Sequence, residues 1–139
     1  MYVQIRNLCF SYQHTNHQTI HHFSLDIEQG EILSILGDSG CGKTTLLRLL
    51  CGLEIPSCGT IKINNQVITD EHTFIQPEHR GIGMVFQDYA LFPHMTVAEN
   101  IRFGLKGYNR SERKQRVADV LELVKMDHLA KRYPHELSG

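Results

Sequence analysis

Gly37-Asp38-Ser39-Gly40-Cys41-Gly42-Lys43-Thr44 stands between an apolar run, Glu31-Ile32-Leu33-Ser34-Ile35-Leu36, and a second one, Thr45-Leu46-Leu47-Arg48-Leu49-Leu50. The octet has the spacing G-x-x-x-x-G-K-[ST] of a phosphate-binding loop. Its glycines let successive backbone N–H groups turn inward around an anion, and a following helix points its positive end at the same place. Lys43 is placed to reach the β- and γ-phosphates, and Thr44 to offer its hydroxyl to Mg²⁺. The pattern therefore predicts a nucleoside triphosphate with magnesium. A Gly-rich turn before an ordinary helix is the plain alternative, but chance seldom supplies a strand-like run before the match and a helix-like run after it. Cys41, beside Lys43 and a helix start, has the surroundings that lower a thiol pKa, and it is also simply a small residue that fits.

Working outward, the 139 residues are long enough for one core, with 41% hydrophobic content and nothing of low complexity. Lysine and arginine total 14 against 15 acidic residues, so no charge footprint marks a nucleic acid or an anionic membrane surface. Cys9, Cys41, Cys51 and Cys58 form no C-x-x-C pair and no disulfide framework, which predicts free thiols in a reducing, cytoplasmic setting. Met1-Tyr2-Val3-Gln4-Ile5-Arg6 does not read as a leader, and no apolar stretch approaches the ~18 residues of a membrane span. A soluble chain is expected.

Val3, Ile5, Leu8 and Phe10, then Phe23, Leu25 and Ile27, alternate as two early strands. Tyr12 heads the polar loop between them, where an aromatic is ordinarily a core or edge residue. His14, His17, His21 and His22 invite a metal reading, but no cysteine or carboxylate completes a compact set of four, so solvated side chains are expected. The helix after the loop should bury its leucines and stop at Gly52. Pro56-Ser57-Cys58-Gly59 reads as a turn, and Thr60–Ile68 as a hairpin around Asn64-Asn65. Ile82–Phe86 reads as a buried strand delivering Gln87 at its carboxyl end, in a mixed sheet. Thr96-Val97-Ala98-Glu99 and Asn109-Arg110-Ser111-Glu112 are helix starts, the first with capping-box spacing. Val117, Val120, Leu121 and Val124 mark one apolar helix face running to about Met126.

With the loop, Phe86-Gln87 and Leu137-Ser138-Gly139 in order, the chain resembles the ATP-binding subunit of ABC transporters along its whole length. The resemblance implies an α/β fold, a P-loop NTPase-type core with an antiparallel β subdomain over residues 1–87. Residues 88–139 would begin a helical subdomain, leaving the ATPase domain incomplete. It implies that Tyr12 stacks on adenine, and that Gly37, Asp38, Ser39, Gly40, Cys41, Gly42, Lys43, Thr44 and Thr45 form the Walker A loop around ATP. Thr44 and Gln87 would meet Mg²⁺, with Lys43 and Gln87 the catalytic pair. Arg80–Ile101 resembles the importer branch that moves ferric iron, polyamines, sulfate, molybdate or maltose, with ferric iron the leading cargo. The implied partners are membrane permease subunits, whose coupling helix would enter a groove near Asp88 to His94. A second ATPase subunit would pair head to tail, and a periplasmic binding protein would act indirectly; no nucleic acid is implied. Tyr89, Leu91, Phe92 and Met95 suit that helix contact, although Leu91 and Phe92 equally suit the subdomain's own core. The resemblance places the subunit on the inner face of the bacterial plasma membrane.

Leu137-Ser138-Gly139 looks like the start of the LSGGQ signature, and the Walker B carboxylates, D-loop and switch histidine of the family do not occur in these residues. Phosphate contacts alone do not position water or stabilise developing charge, so these 139 residues are expected to bind ATP weakly without turnover. The alternative is a non-catalytic remnant or a nucleotide- or partner-binding module. A nucleotide kinase or GTPase is disfavoured by the Phe-Gln-Asp element, and no guanine-reading Asn-Lys-x-Asp is present.

Overall fold

The computed structural model describes residues 1–13 and 18–137, so the readings on His14, His17, Ser138 and Gly139 lie outside the described residues. The chain divides into two compact units, Met1–Met84 and Val85–Gly139.

In the first unit the alternating segments pair as β1 (Val3–Phe10), β2 (Ile20–Ile27), β3 (Cys58–Ile63) and β4 (Gln66–Thr69), in the order β2-β1-β3-β4. Asn64 and Asn65 close the β3–β4 hairpin in left-handed conformations, φ 48° and 62°, which Asn tolerates better than most residues. One face of the sheet carries Ile5, Leu8, Phe10, Ile20, Ile61 and Ile68 into a cluster that Leu46 and Leu49 of α1 (Lys43–Cys51) join. The helix buries this stripe and leaves Leu47 45% exposed, so only part of its leucine run serves the core.

Five expectations fail here. Every described strand pair is antiparallel, so the sheet is not mixed. Residues 31–36 form no ladder, and Ile32 and Leu36 are 95% and 90% exposed. Residues 82–86 likewise form no strand, and Val85 is 88% exposed. The physical reason is common to both: an apolar run becomes a strand only when a neighbour takes its N–H and C=O groups, and no described segment does so. Finally, Cys58 and Gly59 begin β3 instead of a turn, and Cys9 and Cys58 are joined as a disulfide across β1 and β3, 49 residues apart in sequence. Chain spacing cannot show that pairing because a bulge in β1 sets it. The register steps from Arg6↔Thr60 to Cys9↔Cys58, leaving one extra β1 residue between.

Arg80 ties this unit together. Only 5% exposed, its guanidinium donates to Leu49 O at 3.0 Å and Leu50 O at 2.9 Å near the carboxyl end of α1. It donates further to Ile75 O at 2.7 Å and Thr69 Oγ1 at 2.9 Å, and its Cζ lies 4.8 Å from the Phe74 ring centroid. A cation at the helix's negative end is favourable. Gly52 ends the helix at φ 78°, its N–H donating to Arg48 O and Leu49 O. A Cβ there would fall 2.5 Å from Arg80 Nε, so glycine is required both for the left-handed turn and for room. Burial pushes the neighbouring Cys51 thiol up, with Arg80 pulling the other way. Arg80→Ala should lower stability by about 3 kcal/mol, since it removes charged hydrogen bonds and leaves buried carbonyls unpaired. A urea midpoint within error of the unmodified chain would remove Arg80 from this role.

The second unit contains α2 (Val97–Phe103), α3 (Arg110–Leu123) and short helical turns at Asp127–Leu129 and Pro134–Glu136. Both predicted helix starts are present as reciprocal capping boxes, Thr96 with Glu99 and Asn109 with Glu112. Of the four predicted apolar positions on α3, Leu121 is 5% exposed, whereas Val120 is 38% and Val124 51% exposed. Asn100, given no role by sequence reasoning, accepts the Phe92 N–H at 2.9 Å and donates to Phe92 O, Met95 O and Thr96 O. It thereby folds residues 92–96 onto α2. The Thr96 N–H, with its hydroxyl, holds the Glu99 carboxyl below its ordinary value of 4.5. The stabilisation is therefore complete above that value and is lost as pH falls through the lowered one. An acid titration followed by far-ultraviolet circular dichroism should lose helix over that window, and Glu99→Gln should remove this component. Superimposable curves would show that the carboxylate does not contribute.

Candidate functional site

The phosphate-loop residues lie in the first unit, and their geometry follows from three glycines. Gly40 and Gly42 adopt φ 85° and 97°, conformations strained for any other residue. A Cβ on Gly42 would sit 2.9 Å from Ile20 Cδ1 and 3.0 Å from Thr19 O, so the start of β2 presses directly on the loop. A Cβ on Gly37 would meet Cys41 Sγ at 2.7 Å; the Cys41 side chain is tucked against that glycine. Gly42 is also the N-cap of α1, and no side chain caps the first turn. The helix thus presents backbone N–H groups and its positive end to whatever the loop holds.

Lys43 Nζ folds back over the loop, donating to Gly37 O and Asp38 O at 2.7 Å each, with Cys41 Sγ at 3.5 Å. The ammonium therefore stands at the mouth of the nest, held by main-chain carbonyls. Thr44 is exposed and Thr45 is 6% exposed. The Tyr12 hydroxyl lies 3.1 Å from Thr45 Oγ1 and its ring packs edge-on against Phe10 at 4.8 Å, while the residue stays 38% exposed. The structure thus brings Tyr12, Gly37, Asp38, Ser39, Gly40, Cys41, Gly42, Lys43, Thr44 and Thr45 into one region. Gln87 belongs to the second unit, exposed at the start of the turn 87–90.

This set fits a nucleotide polyphosphate: a glycine-rich loop, one ammonium and a helix start whose N-cap residue supplies no side-chain cap. It also fits Mg²⁺, which prefers oxygen and needs few protein ligands because phosphates and waters complete its shell. Thr44 is the hydroxyl available for it. What sequence reasoning missed is the contact of Thr19 and Ile20 with Gly42. No local signal announces it, because it depends on how β2 enters the sheet.

In the second unit, Tyr89 and Ala90 are both left-handed, φ 59° and 48°, with Tyr89 74% and Leu91 50% exposed. Phe92 instead packs on Phe103, ring centroids 4.5 Å apart, so of the paired alternatives Phe92 serves the core of its unit. A cleft of about 490 Å³ is lined by His94, Met95, Glu99, Arg102, Phe103, Lys106 and Arg113. Among the described residues, no helix is long and apolar enough to cross a membrane.

The family model described as "ABC transporter" matches residues 20–139. A spermidine/putrescine import ATP-binding protein, PotA of Marinobacter nauticus, is 51% identical over 83% of this chain and 30% of its own length. A sulfate/thiosulfate import ATP-binding protein, CysA of Bacillus cereus, is 45% identical over all of this chain and 39% of its own. A xylose/arabinose import ATP-binding protein, XacJ of Haloferax volcanii, is 51% identical over 84% and 30%. The chain thus spans about a third of the length of these curated relatives. Among solved structures, the ATP-binding cassette MJ0796, a dimer bound to ADP and Pi, superposes with a TM-score of 0.81 at 29% identity, covering 98% of this chain and 63% of that one. These matches bear out the ABC-type ATPase fold expected from the sequence.

Gly42→Ala tests the loop's construction. The strained φ and the contacts with Ile20 and Thr19 should together cost about 1–3 kcal/mol, read as a lower urea midpoint. An unchanged midpoint would mean that the loop is not pressed by β2 as described.

Proposed function

The chain belongs to the ABC transporter family, and we propose that it is the loop-bearing part of an import ATP-binding subunit, holding ATP and Mg²⁺ at Gly37–Thr45. The observation that carries this reading is the clustering of Lys43, the glycine nest and the uncapped start of α1 within one loop. Loop N–H groups and Lys43 would hold the phosphates, Thr44 the Mg²⁺, and Tyr12 the adenine face. Gln87 would join the metal and the attacking water, so Lys43 and Gln87 form the catalytic pair. When bound, Mg²⁺ supplies charge neutralisation across the phosphate oxygens. Residues 1–87 serve as the core portion and 88–139 as the helical portion.

In the complete assembly the subunit would couple ATP hydrolysis to solute import, pairing head to tail with a second subunit on the cytoplasmic face of the membrane. A permease coupling helix would seat near Asp88 to His94, a reading supported by the exposed Tyr89 and Leu91. A periplasmic binding protein would act through the permease. Ferric iron, the cargo favoured by sequence reasoning, draws no support from relatives named for polyamines, sulfate/thiosulfate and xylose/arabinose. We assign the cargo no further than a small polar or ionic solute.

These 139 residues taken alone should bind ATP without turning it over, since a phosphate cradle gives ground-state contacts only. Equilibrium dialysis with Mg·ATP should show binding that Lys43→Ala weakens at least about tenfold, ~1.4 kcal/mol. Phosphate release should stay at the buffer rate. Binding indifferent to Lys43 would refute the cradle, and release at the rate of a whole importer would refute the binding-only state of these residues.

A further inference from the structure

We propose that Cys9, Cys58 and His22 form a site for a borderline-soft d¹⁰ cation such as Zn²⁺, opened when the Cys9–Cys58 bond is reduced. Their ligand atoms, two sulfurs and an imidazole nitrogen, lie within 4.8 Å of one another. The sequence reading finds no cysteine to complete a compact set of four; the fold brings two cysteines to one of the histidines, His22. The three residues stand in a row across β2, β1 and β3. Cys9 of the central strand faces Cys58 on one side. On the other, pairing steps from Leu8↔Phe23 to Phe10↔Ile20, setting His21 and His22 opposite Cys9.

Each strand is bent at the row. Asn7, His22 and Gly59 have φ 48°, 43° and 99°. A Cβ on Gly59 would lie 2.6 Å from Asn7 O and Leu8 Cα, so β1 and β3 approach this closely only because that residue is glycine. Bulges re-aim side chains, and a left-handed histidine inside a strand marks a backbone held against its preference. Leu8 and Phe10 point into the core, so by strand alternation Cys9 points to the opposite face, where it is 3% exposed. His22 Nδ1 lies 3.6 Å from Cys9 Sγ. That matches the edge of a tetrahedron with Zn–S and Zn–N bonds of ~2.3 and ~2.1 Å. Asn7 O lies 3.3 Å from Cys58 Sγ and 3.6 Å from Cys9 Sγ, within reach of S–H donors once the bond is open.

The two states interconvert with a dithiol reductant. The dithiol gives two electrons and two protons and becomes a disulfide; the Cys9–Cys58 bond breaks to two thiols. Zn²⁺ then binds as both thiols release their protons to solvent, with His22 as third ligand and water in the fourth position. The oxidised pair offers no thiolate and does not bind.

The test uses the full 139-residue chain, reduced with dithiothreitol and freed of it under argon, then titrated with Cd²⁺ and with Zn²⁺. One equivalent of Cd²⁺ should raise a sulfur-to-metal charge-transfer band in the ultraviolet, and Zn²⁺ should compete it away. The air-oxidised chain should show no band until reduced. Cys58→Ser should lose the band, whereas Cys41→Ser, which removes the exposed free thiol, should keep it. His22→Ala should weaken Zn²⁺ at least about tenfold in chelator competition, with circular dichroism confirming that the exposed substitution leaves the fold intact. No band in the reduced chain, a band that needs Cys41, or unchanged affinity in His22→Ala would each overturn the site.

Discussion

The guanidinium of Arg80 meets three different parts of the first unit at once: the last turn of α1, the end of β4 and the chain that follows it. Helices end with carbonyls that have no partner within the helix, and burying such an end without one is costly. Here a single side chain with five N–H donors fills that need. Its planar fork has no acceptor, so every hydrogen-bond partner must be an acceptor, and the four it meets are oxygens. α1 begins at the phosphate loop and ends at Arg80 and Gly52. Fixing the carboxyl end of so short a helix therefore also fixes the direction in which its amino end points.

At that amino end the constraints reverse. Gly42 offers the first turn no side-chain cap and is pressed by Thr19 and Ile20, and Lys43 reaches back to the loop's own carbonyls. One end of the helix is held by Arg80 and the Gly52 N–H, and the other starts at a glycine with no side chain to cap it. This asymmetry is what an anion site requires, and it comes from packing as much as from the loop motif. The Tyr12–Thr45 contact extends the same logic, anchoring an aromatic ring to the helix through its hydroxyl while leaving much of the residue open.

The features legible in the sequence are those whose physics is local. Asn64-Asn65 closes a hairpin because of two backbone angles; Thr96 and Asn109 start helices because a side chain reaches three residues ahead; Gly52 stops one because it has no Cβ. The glycine-rich turn that leads into α1 belongs with them. What was not legible depends on who becomes whose neighbour. Arg80 reads as a loop arginine until the end of α1 lies over it. Cys9 and Cys58 read as stray thiols until a bulge slides one strand by a residue. Asn100 reads as a helix polar residue until residues 92–96 fold back onto it. The same dependence on neighbours explains 31–36 and 82–86, whose apolar content reads as strand although a ladder needs two sides.

Ile32-Leu33-Ser34-Ile35-Leu36 has a further meaning for the life of the chain after it leaves the ribosome. It is β-prone, uncharged, without proline, and largely open to solvent, the composition from which intermolecular zippers grow. The antiparallel sheet can close around α1 without it. An open segment of this composition exposes the chain to self-association and to chaperone capture. Yield in the cell would then be governed by the rate of that self-association rather than by how stable the folded units are.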